Sequence, residues 1–294
     1  MIKLLRSMLF VPGNNMRMLH KAASLKADAV ILDMEDAVPM EDKETARLFV
    51  RDMVPELAEK RAGIYVRVNS WSTGLTQEDL EAAAQPGLDG IMLPKCETRE
   101  DIEKLTRELE KLEAKRSLKK TPIVALIETP LGVVNAYSIA SAPRVIAVAF
   151  GSVDFTREMG TTPSKEGTEV LYPRAHIAVA ARAAGVDPID TVWTDIMDVE
   201  GLIRDAKLAR KLGYSGKLLI HPNQIDPVNK VFTPTPEEVE YAKLIVQEFE
   251  KAKAKGIGAI SIKGKMIDTP FYKQALRTLQ IHQAIEELEK HSTT

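Results

Sequence analysis

The sequence predicts an α/β protein whose eight parallel strands and helices close into a (β/α)8 TIM barrel, followed by a C-terminal hairpin and helix. Short apolar segments of about 4–8 residues, rich in β-branched side chains, recur along the chain, as expected of buried parallel strands. Longer amphipathic segments separate them, and a barrel of this kind needs roughly 250 residues. An open, doubly wound sheet is the alternative, but no Gly-x-Gly-x-x-Gly motif follows the first apolar segment.

Each predicted strand ends close to a turn-forming or charged residue. The first ends at Pro12-Gly13, the fifth at Glu128 and the sixth at Gly151. The predicted strands, in order, are Ser7–Val11, Ala29–Asp33, Ile64–Asn69, Gly90–Leu93, Ile123–Ile127, Val145–Phe150, Thr191–Trp193 and Lys217–Ile220.

Helical periodicity in the intervening segments predicts the outer layer of the barrel. An eighth outer helix is predicted at Pro236–Lys255, a hairpin within residues 256–270 and a last helix at Phe271–Lys290. We therefore expect a barrel domain, residues 1–255, and an extension, residues 256–294, that covers a site or contacts a neighbouring subunit. The other predicted helices are Met16–Lys26, Glu41–Glu59, Gln77–Ala84, Arg99–Lys115, Leu131–Ser141, Pro173–Ala184 and Val199–Leu212.

Charge and cysteine content exclude several classes of function. The 40 basic and 42 acidic residues give a net charge of −2, which provides no field for attracting nucleic acid or anionic membranes. The single cysteine, Cys96, cannot form an intrachain disulfide. No apolar run approaches the roughly 20 residues that span a bilayer, and the N-terminal segment lacks the pattern of a secretory signal. These features predict a cytoplasmic protein with no nucleic-acid or membrane partner.

Acidic side chains are concentrated where the predicted strands end. Glu35, Asp36, Glu128 and Asp154 all follow apolar strands, and the loops after barrel strands meet at one face. Repulsion would raise the pKa of some of these carboxyls unless a cation neutralises them. Carboxylates without histidine or cysteine partners favour Mg²⁺, with Mn²⁺ as the alternative ion, over zinc. Glu128 and Asp154, on adjacent strands, form the best pair, whereas helix capping is the alternative role for Asp36 and Asp154.

Basic side chains offer partners for these acids or for an anionic substrate. Arg67 lies inside an apolar strand, where it either pairs with one of the acids or binds a substrate carboxylate or keto oxygen through two hydrogen bonds. Lys95 and Lys21 are weaker candidates for such a role, because a charged residue at a strand end or on an exposed helix is usually solvated. His221, which precedes a proline, is interpreted as structural.

Six motifs, in order over nearly the whole chain, are specific when taken together. They are Leu9-Phe-Val-Pro-Gly-Asn14, Leu32-Asp-Met-Glu-Asp-Ala-Val38, Val66-Arg-Val-Asn69, Leu93-Pro-Lys95, Ile127-Glu-Thr-Pro130 and Gly151-Ser-Val-Asp154. This set resembles the citrate lyase β-subunit-like proteins of the HpcH/HpaI aldolase group, whose relatives include malyl-CoA and citramalyl-CoA lyases.

The resemblance implies a homo-oligomer, a trimer or a multiple of it, built from modified TIM barrels. It implies that Glu128 and Asp154 hold Mg²⁺ and that Glu128 also contacts the substrate. Arg67 would contact the 2-oxo acid. Glu35 and Asp36 would orient water molecules bound to the ion.

The resemblance also implies residues for coenzyme A and for proton transfer. Phe10 and Lys21 match positions that help to hold coenzyme A. Many of these lyases have an arginine at the place of Asn15, and Arg17 is the candidate substitute. Asp268 matches a tail aspartate that acts as acid or base, commonly in the active site of the neighbouring subunit.

The function implied is a Mg²⁺-dependent lyase that cleaves or forms a 3-hydroxyacyl-CoA, such as malyl-CoA or citramalyl-CoA, with acetyl-CoA and a 2-oxo acid as the other reactants. The segment Ile220–Ile225 looks more like the CoA lyases than the citrate lyase subunits. The segment Gly264–Asp268 also looks like the CoA lyases, although citrate lyase subunits can carry a similar tail. The main alternative is the citryl-carrier-protein lyase (β) subunit of a citrate lyase complex, which needs an acyl carrier protein. Further alternatives are an aldolase on free hydroxy-oxo acids and a non-catalytic binding scaffold.

Overall fold

The structure, a computed structural model, describes residues 3–61 and 63–291. Eight parallel strands close a barrel in sequential order, which confirms the predicted fold class. They lie in one of two units of the chain, Leu5–Lys230. The strands are β1 (Ser7–Pro12), β2 (Ala29–Asp33), β3 (Ile64–Arg67), β4 (Gly90–Leu93), β5 (Ile123–Ile127), β6 (Val145–Phe150), β7 (Asp187–Asp190) and β8 (Gly216–Leu219).

Helices connect the strands. The predicted helix Glu41–Glu59 consists of a 3-10 turn, Met40–Asp42, and an α-helix, and the predicted helix Leu131–Ser141 is two short helices. Two further helices, after β6 and β8, were not predicted. The helices are α1 (Met16–Ala22), α2 (Lys43–Ala58), α3 (Thr76–Ala83), α4 (Arg99–Arg116), α5 (Pro130–Val134), α6 (Ala136–Ala140), α7 (Ser152–Glu158), α8 (Leu171–Ala183), α9 (Val199–Leu212) and α10 (Ile225–Phe232).

The predicted position of the seventh strand, Thr191–Trp193, is wrong. The structure places β7 at Asp187–Asp190, where Pro188 pairs in register with Val148 of β6. Strand propensity disfavours aspartate and proline, so the prediction shifted the strand to the following residues. Tertiary contacts override propensity here, because Asp190 is buried against basic side chains.

The barrel interior is apolar, and its pattern determines where charged side chains stand. Ile31, Tyr65 and Leu126 belong to one buried cluster inside the barrel. Residues two apart on a strand share a face. The inward-facing residue that follows each of these three along its strand is therefore charged: Asp33, Arg67 and Glu128, respectively.

A buried ionic network joins β7 and β8 to helices α8 and α9. Lys217 Nζ donates to Asp190 Oδ2 (2.6 Å) and to Asp205 Oδ2 (2.5 Å). Arg174 donates from Nε and Nη2 to Asp190, at 3.0 and 2.8 Å, and from Nη1 to Asp205 at 2.8 Å. Ile189, which precedes Asp190, and Leu218, which follows Lys217, both face the barrel interior. Because neighbouring residues of a strand point to opposite faces, Asp190 and Lys217 face outward, and the network lies between the strands and the helices.

The other described residues form a second unit, which contains α11 (Pro236–Lys253), β9 (Ile260–Ile262), β10 (Lys265–Ile267) and α12 (Thr269–His291). Strands β9 and β10 form the predicted antiparallel hairpin. Its two-residue turn has positive φ at Lys263 (48°) and Gly264 (75°), as a type I′ turn requires. Rings of Phe249 and Tyr272 stack at 5.0 Å within its apolar cluster. The proposed domain boundary at residue 255 stays a prediction.

No helix in the described parts of the chain has both the length and the apolar character needed to cross a membrane.

We predict that Lys217→Met lowers the free energy of unfolding by roughly 3 kcal/mol, because it leaves two aspartates with Arg174 as their remaining buried partner. Urea denaturation followed by circular dichroism measures the change. Lys207→Met, an exposed position on α9, is the matched control and should leave the stability within about 0.5 kcal/mol. Equal midpoints for wild type and Lys217→Met would contradict the prediction.

Candidate active site

A buried ion pair stands at the centre of the barrel mouth. Arg67, at the end of β3, donates from Nε to Asp33 Oδ1 and from Nη2 to Asp33 Oδ2, both at 2.7 Å. Asp33 also accepts backbone N–H bonds from Glu35 (2.9 Å) and Ala37 (3.1 Å). Burial alone would raise the pKa of Asp33, but Arg67 and these backbone groups outweigh it and hold that pKa below its usual range. Asp33 therefore stays ionised and fixes the plane of the guanidinium.

The third guanidinium nitrogen of Arg67, Nη1, faces two further acids. Arg67 Nη1 lies 3.2 Å from Glu35 Oε2 and 3.6 Å from Asp36 Oδ2. The contact with Glu35 is electrostatic, because Oε2 is buried without a partner of hydrogen-bonding geometry. Lys95 Nζ donates to the other oxygen, Glu35 Oε1, at 2.8 Å. Burial and then repulsion from Asp36 raise the pKa of Glu35, whereas Arg67 and Lys95 oppose the shift without cancelling it.

Glu128, directly after β5, is held by backbone groups on both sides. The N–H of Lys95 donates to Glu128 Oε1 at 2.9 Å, and Lys95 has a left-handed φ of 52°. Gly151 closes the other side, since a Cβ there would lie 2.6 Å from Glu128 Oε2. The cap of α5 is Thr129, whose hydroxyl accepts from Gly132 N, so helix capping does not explain Glu128.

The charge on Glu128 is costly in this environment. Burial, then the charges of Glu35 and Asp154, raise the pKa of Glu128 to about 8, against the opposing effects of Arg67 and the Lys95 N–H. A carboxylate with this environment gains from a cation more than an exposed one does.

Asp154 lies in the first turn of α7, one strand away from Glu128. Its Oδ1 is 2.5 Å from Nη2 of Arg157, an exposed side chain of the same helix. The first residue of that helix, Ser152, is fixed by Thr191 after β7, which accepts from Ser152 N at 3.1 Å. The start of α7 is therefore anchored, while the side chain that pairs with Asp154 reaches solvent.

The donor set fits a hard divalent cation. Glu128 and Asp154 supply oxygen atoms, and the buried Glu35 Oε2 lacks a hydrogen-bond partner. The described residues contain no group of three or more histidine, cysteine or acidic side chains that would enclose a metal. Two carboxylates are the number with which Mg²⁺ is often bound, with water and substrate in the other positions.

The three residues predicted to contact coenzyme A are close in sequence but differ in their surroundings. Phe10, on β1, packs its ring 4.6 Å from the Arg67 guanidinium carbon. Arg17 and Lys21, four residues apart on α1, are exposed on one side of that helix. Asn15 caps α1, since its side chain accepts from Met18 N. The structure thus joins Phe10 to the acid cluster and leaves Arg17 and Lys21 at the surface.

A family model described as HpcH/HpaI aldolase/citrate lyase matches residues 6–222. The chain belongs to this family. A second model, described as a C–C bond lyase of the TIM-barrel fold, matches residues 164–284.

Several known proteins are similar to this chain over almost its full length. Citrate lyase subunit beta of Leuconostoc mesenteroides subsp. cremoris is 40% identical over 286 residues, 96% of this chain and 94% of that protein. The mitochondrial citramalyl-CoA lyase of Homo sapiens is 35% identical over 294 residues, 96% of this chain and 86% of that protein. Protein CitE of Mycobacterium tuberculosis, crystallised with magnesium, acetoacetate and coenzyme A, is 31% identical with a TM-score of 0.74, covering 94% of this chain and 97% of that one.

Asp268, the predicted acid or base, belongs to the second unit and stands between β10 and α12. Its Oδ1 is buried without a hydrogen-bond partner among the described residues. His221 Nδ1 accepts from Asn223 N at the turn after β8, and its structural role stays a prediction.

The sequence analysis missed two contributors to the site. Asp33 belongs to one of the six motifs but is absent from the four converging acids, although its place at a strand end is the same signal. The backbone N–H of Lys95 gives no signal in the sequence, because the direction of a backbone group cannot be inferred from residue type.

We predict that Glu128→Gln stabilises the metal-free protein in a pH-dependent way. The unfolded chain ionises Glu128 near pH 4.5 and the folded chain near 8, so this group destabilises the fold increasingly as pH rises between those values. Each pKa unit corresponds to about 1.4 kcal/mol, so the gain is on the order of a few kcal/mol above about pH 8 and vanishes below about pH 4.5.

Thermal melts in the presence of a chelator, at about pH 5 and about pH 9, measure this difference. Glu158→Gln, an exposed glutamate of α7, is the control and should show no pH-dependent gain. A difference between wild type and Glu128→Gln that is the same at both pH values would contradict the prediction.

Proposed function

We propose that this chain is a Mg²⁺-dependent carbon–carbon lyase that cleaves or forms a 3-hydroxyacyl-CoA, with acetyl-CoA and a 2-oxo acid such as glyoxylate, pyruvate or oxaloacetate as the other reactants. The observation that carries the proposal is a buried guanidinium set among carboxylates at the mouth of an apolar barrel. Membership of a family that includes citrate lyase β subunits and citramalyl-CoA lyase supports the reaction type.

Glu128 and Asp154 are the residues proposed to hold Mg²⁺, with Mn²⁺ as the alternative ion. When bound, the ion supplies Lewis-acid polarisation of the substrate's carboxylate and hydroxyl oxygens. Magnesium is present with coenzyme A and acetoacetate in the similar CitE structure, which supports this choice. Glu35 and Asp36 are proposed to orient water molecules on the ion, and Glu128 also to contact the substrate.

Arg67 is proposed to stabilise the oxygen atoms of the 2-oxo acid as the carbon–carbon bond breaks. Because two of its nitrogens are committed to Asp33, the Nη1 edge is the part left to face a ligand. A guanidinium whose orientation is fixed before the reaction pays no reorganisation cost as negative charge develops. Replacement of Arg67 by lysine would lose this planar, two-sided arrangement.

Proton transfer must balance the cleavage. The substrate hydroxyl loses its proton to solvent water, its oxygen becomes the keto oxygen of the 2-oxo acid, the carbon–carbon bond breaks, and the electron pair of that bond passes to the thioester as an enolate. We assign protonation of the enolate carbon to Asp268, and in the condensing direction Asp268 would remove that proton. The resemblance of the Gly264–Asp268 segment supports this assignment, including its contribution to the site of a neighbouring copy.

Phe10, Arg17 and Lys21 are proposed to hold coenzyme A. The exposure of Arg17 and Lys21 on one side of α1 is compatible with binding the anionic groups of a nucleotide, and Phe10 offers an apolar face.

We also propose a cytoplasmic homo-oligomer. Large apolar side chains are exposed on neighbouring elements of the barrel, and a group of this kind commonly marks a protein interface. They include Val134 (76%), Tyr137 (56%), Tyr172 (72%) and Val179 (68%), on α5, α6 and α8.

A second function, the citryl-carrier-protein lyase subunit of a citrate lyase complex, is favoured by the 40% identity to a citrate lyase β subunit. In that case the thioester is presented by an acyl carrier protein and not by free coenzyme A. The acid cluster, Arg67 and the metal pair would serve the same bond cleavage.

A substrate panel tests the proposal. Purified protein with Mg²⁺ is assayed for condensation of acetyl-CoA or propionyl-CoA with each of the three oxo acids, and for cleavage of citryl-carrier protein. We expect turnover of a CoA thioester that a chelator abolishes and Mg²⁺ restores. Activity only with the carrier protein would favour the second function. Activity that survives both chelation and the Asp154→Ala substitution would contradict the metal-dependent mechanism.

We predict that Asp268→Asn lowers kcat by about 100-fold or more while Mg²⁺ affinity is unchanged, because a general acid contributes roughly 100- to 10,000-fold and the amide cannot transfer the proton. Steady-state kinetics and titration calorimetry with Mg²⁺ measure the two quantities. Lys265→Met, an exposed position of the same hairpin, is the control. A wild-type rate for Asp268→Asn would remove this residue from the reaction.

A further inference from the structure

A buried lysine, outside the predicted site residues, supports the loop that carries Glu35 and Asp36. Lys43 is the first residue of α2, and it is only 8% exposed. Its Nζ donates at 2.7 Å to the backbone carbonyl of Met34 and at 2.7 Å to that of Glu35. Both acceptors lie in the loop between β2 and α2, immediately beside the two acids.

The same two carbonyls are also bound by neutral donors. Met34 O accepts from Asn69 Nδ2 at 2.9 Å, and Glu35 O accepts from Val38 N at 3.0 Å. Asn69 is itself fixed by Asp79, which accepts from both Asn69 N and Nδ2 at 2.7 Å. The loop would therefore keep one partner for each carbonyl without the lysine, and hydrogen-bond satisfaction alone does not account for a charged group here.

The charge of Lys43 has no direct carboxylate partner among the described residues, since none lies within 4.0 Å of Nζ. Burying an ammonium without such a partner is costly. Burial lowers the pKa of Lys43, and the charges of Asp33, Asp79, Glu35 and Asp36 oppose this shift without cancelling it. Lys43 thus places a positive charge against the backbone of the loop that carries Glu35 and Asp36.

We propose that Lys43 is a positioning residue of the active site, which holds Glu35 and Asp36 in place through the backbone of their loop and partly offsets their negative charge. This inference rests on the proposed function for its catalytic readout, but its metal readout does not. Lys43 does not touch the substrate in this proposal. It acts by keeping the Glu35 and Asp36 side chains oriented toward Arg67 and the metal pair.

Binding of Mn²⁺ alone, followed by electron paramagnetic resonance on the full-length protein, is the first test. In Lys43→Met we expect the Mn²⁺ dissociation constant to rise by about 10- to 100-fold, the range typical when a group that orients metal ligands or their waters is removed. Lys43→Arg, which keeps charge and donors, should recover most of the affinity. Lys43→Gln, which keeps one donor without the charge, should fall between them and serves if Lys43→Met does not fold.

Kinetics provide the second readout. We expect kcat of Lys43→Met to fall with an unchanged KM for the thioester, because the residue orients charged groups at the reacting end and does not contact coenzyme A. Lys217→Met is the control for lost stability, since it removes a buried lysine elsewhere in the barrel. It should bind Mn²⁺ as the wild type does.

Wild-type Mn²⁺ affinity in both Lys43→Met and Lys43→Gln would overturn the proposal, as would an equal loss in Lys217→Met. If the wild type turns over no thioester but Lys43→Met still weakens Mn²⁺ binding, the proposed function fails and the role of Lys43 stands. If the wild type is active and Lys43→Met is equally active with unchanged Mn²⁺ affinity, only the role of Lys43 fails.

Discussion

The candidate site depends on one buried ion pair, Arg67 with Asp33. A guanidinium and a carboxylate at the end of an apolar barrel are stable there only because two 2.7 Å hydrogen bonds, and two backbone N–H groups on the aspartate, compensate for lost hydration. The pair leaves one edge of the arginine uncommitted. That edge is the positive group that the carboxylates of Glu35 and Asp36 face.

The acids differ in how strongly the protein restrains them. Glu128 is enclosed by the Lys95 N–H and by Gly151, and its charge is disfavoured until a cation is near. Asp154 pairs with the solvent-exposed Arg157, which can move away at little cost. The proposed metal pair thus combines a restrained carboxylate, Glu128, with a more accessible one, Asp154. This combination suits an ion that keeps water and substrate in its other positions. Strain at Lys95, whose φ is positive, is retained where it aims a backbone N–H at the carboxylate.

Buried polar groups around the barrel fix the loops and strands that carry the site. Lys43 and Asn69 hold the loop after β2, and the Arg174–Asp190–Lys217–Asp205 network fixes the last two strands to their helices. The two lysines are both buried but differ in their partners, since Lys217 binds carboxylates and Lys43 binds backbone carbonyls. We infer that the first stabilises the fold and the second arranges the acids, which is why they form a matched pair of variants.

The sequence alone determined the barrel, seven of its eight strand positions, the tail hairpin and the four acids at the strand ends. These features follow from hydrophobic periodicity and turn-forming residues, which depend only on residues close in sequence. The position of β7 was decided by charge pairing with Arg174 and Lys217, which are distant in sequence, so propensity failed there. The same holds for the site. Strand position brought Arg67 and Glu128 to the barrel mouth, but only the tertiary structure could assign Asp33 to the arginine, turn the Lys95 N–H toward Glu128 and bury Lys43, since these depend on directions and distances between separate strands and loops.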